Sequence, residues 1–135
     1  MGGLMFRAKL FAGLVSAVML ASPALAVELV MVEQTGCAWC ARWNEEIAPA
    51  YPNTVEGQFA PLRRVDLRKM PDDLSIARRV TFTPTFLLVE DDREIARMEG
   101  YPGEDFFWPL LEQLLRSHTD YAPAKTPTET QGNGS

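Results

Sequence analysis

"TGCAWCARW", residues 35–43, carries the two cysteines of this chain, Cys37 and Cys40, with two residues between them. Downstream, Cys40, Trp43, Asn44 and Ile47 recur at three- and four-residue spacing until Pro49 and Pro52 break the pattern. That spacing predicts a helix whose first turn holds both cysteines. Upstream, "VELVMVE" (27–33) is apolar and rich in β-branched residues, and with Gly36 after it reads as a buried strand. The cysteines are therefore expected at a strand-to-helix junction.

Working outward, "LRRVDL" (62–67) reads as a second strand, and "PNTVEGQF" (52–59) as a loop. "PDDLSIARRV" (71–80) places a proline and two acidic residues where a first helical turn favours them, with Leu74, Ala77 and Arg78 at helical spacing, so a helix is expected there. Thr85 to Glu90 and Glu94 to Glu99 flank Asp91 and Asp92, giving an antiparallel hairpin. From Gly103 on, Phe106, Phe107, Leu110, Leu111, Leu114 and Leu115 form one apolar stripe, the mark of an amphipathic helix, with Pro109 expected to limit how far upstream it begins. The order βαβαββα implies an α/β fold, a mixed four-stranded sheet with helices on both faces. Cys37 then lies just past the end of a central strand, where open α/β sheets carry their sites.

The ends read differently. Residues 1–26 have a short basic start (Arg7, Lys9), an apolar run from Leu10 to Leu20, and the small-x-small pattern Ala24, Leu25, Ala26. The run is shorter than the roughly 20 residues of a spanning helix, so the reading is a signal peptide cleaved after Ala26. Residues 27–118 are read as one domain and 119–135 as a disordered tail, because Ala122 to Ser135 hold no large apolar residue. The chain carries 13 basic and 18 acidic residues, and the signal takes two basic ones with it. An acidic protein without a basic face does not bind nucleic acid, and the mature chain is expected to be soluble.

Two cysteines three positions apart allow several chemistries. Haem attachment needs a histidine after the second cysteine, and Ala41 stands there. A zinc site needs about four ligands, whereas the chain offers two thiols and the distant His118. No metal or cofactor is expected, and copper delivery lacks nearby methionine or histidine. A structural disulfide is permitted by export, but closing so short a loop constrains little of the unfolded chain. Reversible opening fits better. Unpaired amides at a helix start favour an anion there, so Cys37 should fall below the free thiol value of about 8.5 and act as nucleophile. Cys40, further in, would resolve the mixed disulfide. A second reading keeps the disulfide structural and makes the chain a redox-gated binding module, with Trp39 and Trp43 at its surface; Trp43 reads more simply as core or disulfide shield, and Trp39 as an exposed substrate contact.

"WC" followed by a helix, together with "TFTPTFLLV" (81–89), resembles the thioredoxin superfamily over nearly all of residues 27–118. The resemblance implies a minimal thioredoxin-like fold, a cis peptide before Pro84, and a Thr83 backbone beside Cys37 that pairs with an extended substrate segment. Gly100 resembles that family's glycine after the hairpin. The usual amino-terminal strand and helix are missing, Ala38 and Trp39 replace the ordinary glycine and proline, and Met31 stands where the family places a buried carboxylate. Glu33 either replaces that carboxylate or is a solvated strand-end residue. "VMVEQTGCAWCARWNEEIAPAYP" and "EGYPGEDFFWPLLEQLL" resemble, more narrowly, the periplasmic thioredoxin-like proteins of bacterial sulfur-oxidation (Sox) systems. That likeness implies a periplasmic reductase whose partner is a Sox protein and whose electrons come from a membrane transporter of the DsbD or CcdA kind; the mature chain is expected to be a monomer.

Overall fold

Strand β1 (Val27–Glu33) lies inside the sheet and is buried on both faces. It pairs in parallel with β2 (Leu62–Asp66) and antiparallel with β3 (Thr85–Glu90), which pairs antiparallel with β4 (Arg93–Glu99). The sheet order is β2-β1-β3-β4. Asp91 and Asp92 both adopt positive φ, as a tight hairpin turn requires. The computed structural model describes residues 2, 3 and 26–123. The expected signal peptide, apart from residues 2, 3 and 26, and the last twelve residues of the expected tail lie outside the described residues.

The α/β class and the mixed four-stranded sheet are as expected. On one face, Leu29, Met31, Phe86 and Leu88 pack against Trp43 and Ile47 at and just beyond helix α1 (Ala38–Glu46), and against Phe107, Leu111 and Leu115 of helix α3 (Glu104–His118). Trp43 is fully buried, with ring centroids of Tyr51, Phe86 and Phe107 at 6.2, 5.4 and 5.8 Å. On the other face, Val30, Val32, Val65, Leu87 and Val89 meet Leu74 and Val80.

That second face corrects the expectation of helices on both sides. Residues 71–80 form no helix; they cross the sheet as an irregular strap whose polar groups are claimed by β4. Ser75 N donates to Asp92 O (2.8 Å) and Glu94 N to Ser75 O (2.9 Å), Ala77 N donates to Glu94 Oε2 (2.7 Å), and Arg97 donates to Arg78 O (2.8 Å). With these bonds made outside the segment, helix formation gains nothing. Glu94 and Arg97 can both face the strap because Ile95 is bulged: Leu88 pairs with Ala96 but Val89 with Glu94. The extra residue brings two side chains an odd number of positions apart onto one face.

A helix forms instead where a loop was expected. Helix α2 (Val55–Phe59) is capped by the Thr54 hydroxyl, which accepts from Gly57 N at 3.0 Å. Gly57 lies so close to Tyr51 that a Cβ there would sit 1.8 Å from the Tyr51 carbonyl oxygen. Helix α3 begins at Glu104, so Pro109 falls inside it rather than limiting its start. The amide that Pro109 lacks would have served Asp105, in the first turn. The domain also continues past His118. Thr119 Oγ1 donates to Leu115 O (2.6 Å), and Tyr121 is buried edge-on to Phe59, 5.1 Å between centroids, so the expected tail is in contact with the domain at its start. Among the described residues no helix is long and apolar enough to cross a membrane.

Candidate active site

Gly36, at φ +82°, turns the chain from β1 into α1 and leaves Cys37 as the helix N-cap. Its sulfur accepts the Cys40 amide at 3.1 Å. The two cysteines are bridged, with Cα atoms 5.2 Å apart. They differ in access: Cys37 is half-buried, whereas Cys40 is only 3% exposed and belongs to the core with Trp43. One sulfur of the pair faces solvent beside unpaired helix-start amides, and the other is sealed.

The Thr83–Pro84 peptide is cis. Gly100 N donates to Pro84 O at 2.8 Å, which pins the proline to the end of the hairpin at a glycine whose φ is +84°. Gln34 joins this loop to the cysteines. Its Nε2 donates to Thr83 Oγ1 (3.0 Å) while its carbonyl accepts from Cys37 N (3.3 Å). Trp39 is 54% exposed, with the Arg42 guanidinium 5.6 Å from its ring centroid, and Phe82, just before Thr83, is 63% exposed. Trp43, by contrast, is a core residue, not part of a surface.

Glu33 closes the other side. Its carboxylate receives Arg64 Nη1 at 2.9 Å, and it lines one open cleft with Cys37, Cys40, Ala41 and Asn44. The strand-end carboxylate is thus neither buried nor freely solvated. Below α1, Glu46 accepts from Tyr101 and from Arg42 (2.7 Å). These bonds, Tyr101 first, hold the Glu46 carboxyl below the usual carboxylate range, and burial together with Glu46 pushes the Tyr101 phenol up. Among the described residues no cluster of three or more histidine, cysteine or carboxylate side chains could hold a metal.

Gln34, Asn44 and Phe82 were not expected at the site. For Phe82 a signal existed, a large aromatic amid threonines beside the proline. Gln34 acts through a contact that spacing does not show, and Asn44 is brought to the cleft one helical turn beyond Cys40.

No family model and no curated protein matches the chain. Among solved structures it is similar to the periplasmic thioredoxin SoxS from Paracoccus pantotrophus in its reduced form, at 56% identity and a TM-score of 0.65, over 67% of this chain and 96% of that one. Thioredoxin-2 of a malaria parasite (21% identity, TM-score 0.49, 66% of this chain and 84% of that one) and the Malassezia sympodialis thioredoxin Mala s 13 (18%, 0.47, 64% and 73%) are more distant matches.

Proposed function

The chain belongs to the thioredoxin superfamily and is a thiol–disulfide oxidoreductase, and from that premise we propose that it is a periplasmic reductase that keeps a partner protein's cysteine reduced. Cys37, as thiolate, attacks the partner disulfide; Cys40 then attacks Cys37 to release the reduced partner and leave the Cys37–Cys40 bridge. The single observation behind these roles is the asymmetry of the pair, an accessible N-cap sulfur and a buried one. Export rests on the signal-like residues 1–26, with mature residues from Val27, and on the periplasmic location of its similar relative. A Sox sulfur-oxidation component is the proposed partner, and a membrane thiol-electron transporter of the DsbD or CcdA kind the proposed donor.

Direction is tested by the reduction potential of the mature protein, equilibrated against glutathione or dithiothreitol buffers and read by trapping free thiols. A reversible value near or below about −270 mV is expected. A value near −120 to −180 mV would make the protein an oxidant or isomerase, and a bridge resisting reduction well below about −300 mV would make it structural.

Substrate contact is assigned to Trp39, Thr83 and Pro84, with Phe82 added. The Thr83 backbone offers an edge to an extended segment, and two exposed aromatics stand one between the cysteines and one next to Thr83 in sequence. Trp39→Ala and Phe82→Ala are each expected to raise KM for a protein disulfide roughly fivefold, about 1 kcal/mol. Their rates with a small aliphatic disulfide should stay within about twofold of wild type. Equal loss on both substrates would place these residues in the fold rather than in recognition.

A further inference from the structure

Helix α1 carries a row of side chains that begins between the cysteines. Trp39, Arg42 and Glu46 follow at three- and four-residue spacing, which puts them on one helix face. The Arg42 guanidinium lies over the Trp39 ring, 5.6 Å from its centroid, and its Nε donates to Glu46 Oε1 at 2.7 Å. The other Glu46 oxygen accepts from the hydroxyl of Tyr101, a core residue that follows Gly100, whose amide holds Pro84. An exposed ion pair by itself orders an arginine weakly. Here ring and carboxylate hold the guanidinium from two sides, and the carboxylate is itself tied to the core.

These contacts use only one of the N–H donors of the guanidinium. Its two terminal nitrogens have no hydrogen-bond partner among the described residues, and the side chain is 52% exposed. A rigid, planar set of donors is thus held open to solvent next to Trp39, which is exposed as well. The acceptor it suits is uncharged. Glu46 already neutralises Arg42, so an incoming carboxylate would be attracted by one and repelled by the other. Main-chain carbonyls meet no such repulsion. An extended segment that pairs along one edge, as it would with the Thr83 backbone, keeps the carbonyls of its other edge unsatisfied.

We propose that Arg42 is a recognition residue, its terminal nitrogens donating to main-chain carbonyls of the partner segment while the guanidinium stays over Trp39. Glu46 and Tyr101 are positioning residues that aim it. This role rests on the exchange reaction above and adds to it a contact that favours a polypeptide over a small disulfide.

The test compares reduction of insulin, a protein disulfide, with reduction of hydroxyethyl disulfide, which has no carbonyl. Arg42→Met keeps an apolar stem beside Trp39 and removes the donors. It is expected to raise KM for insulin about fivefold with kcat within about twofold of wild type, and to leave kcat/KM for hydroxyethyl disulfide within about twofold. Glu46→Ala, which leaves the guanidinium unaimed, should raise KM for insulin about threefold, and that effect should disappear in a protein that also carries Arg42→Met. An unchanged KM for insulin in Arg42→Met would overturn the assignment, as would equal loss on both substrates. A Glu46→Ala effect that persists without Arg42 would overturn the positioning role, since it would mark damage to the fold. A wild-type protein that reduced neither disulfide would overturn the exchange reaction itself, a distinct result.

Discussion

A Cys37→Ser protein is expected to lose disulfide reduction altogether, by more than about a thousandfold, while Cys40→Ser accumulates a covalent complex with its partner. The difference follows from where the two sulfurs sit. Cys37 caps the helix, half-exposed, and is the proposed nucleophile; a serine hydroxyl there stays protonated and cannot attack. Cys40 is buried behind it and, in the proposed reaction, acts only once Cys37 has bonded to the partner. Without it the mixed disulfide has no internal route to release, and the complex should be visible as a mass shift on a non-reducing gel that dithiothreitol reverses. Full reductase activity in Cys37→Ser would show the roles to be misassigned.

Arg97→Met is the second large effect, and it concerns stability. Arg97 Nε and a terminal nitrogen bond to the two Glu94 oxygens at 2.5 and 2.8 Å, with side chains only 6% and 3% exposed. Removing one member of so buried a pair leaves the other charge uncompensated, at a cost of about 3–5 kcal/mol. The strap over residues 74–78 also loses its bond to Arg78 O, so the apolar face beneath Leu74 and Val80 is expected to open first. For a domain of this size the melting temperature should drop by at least about 10 °C. An unfolding free energy within about 1 kcal/mol of wild type would show that the pair does not hold the strap. The pH dependence has a definite sign. Burial works to raise the Glu94 carboxyl, but hydrogen bonds from Arg97 and Ala77 N outweigh it and hold the group below the ordinary range. Its contribution is therefore complete above the unfolded carboxylate value and is lost as pH falls through the lowered folded value. In Arg97→Met that acid limb should flatten, since the missing partner is what holds the carboxyl down.

The parts of this fold that were legible in sequence are those fixed by neighbours in sequence. The alternating or continuous apolar runs of β1 and β3, the paired aspartates of the hairpin and the stripe of Phe107, Leu111 and Leu115 each announce their element locally. Residues 71–80 misled because Leu74, Ala77 and Arg78 do match a helical period. What decides their structure is Glu94 and Arg97, in another element and in phase only through the bulge at Ile95. The five-residue α2 was missed because its stability comes from a Thr54 cap and a Tyr51 contact rather than from periodicity. Around the cysteines, the bridge of Cys37 and Cys40, the exposure of Trp39 and the cis Thr83–Pro84 peptide were readable from two short motifs. Gln34 and Asn44 were not, since one is defined by a bond across 49 residues and the other by a bond it lacks.

The sheet order has a consequence for how the chain comes into being. β1, the earliest strand, lies between β2 and β3, so its two partners are made after it. A chain emerging amino terminus first from a ribosome presents Val30, Met31 and Val32 with both strand edges open until β2 has followed, and with one edge open until Glu90 has followed. Assembly is therefore postponed by topology. During that interval β1, with its apolar residues uncovered, is the segment most in need of a chaperone.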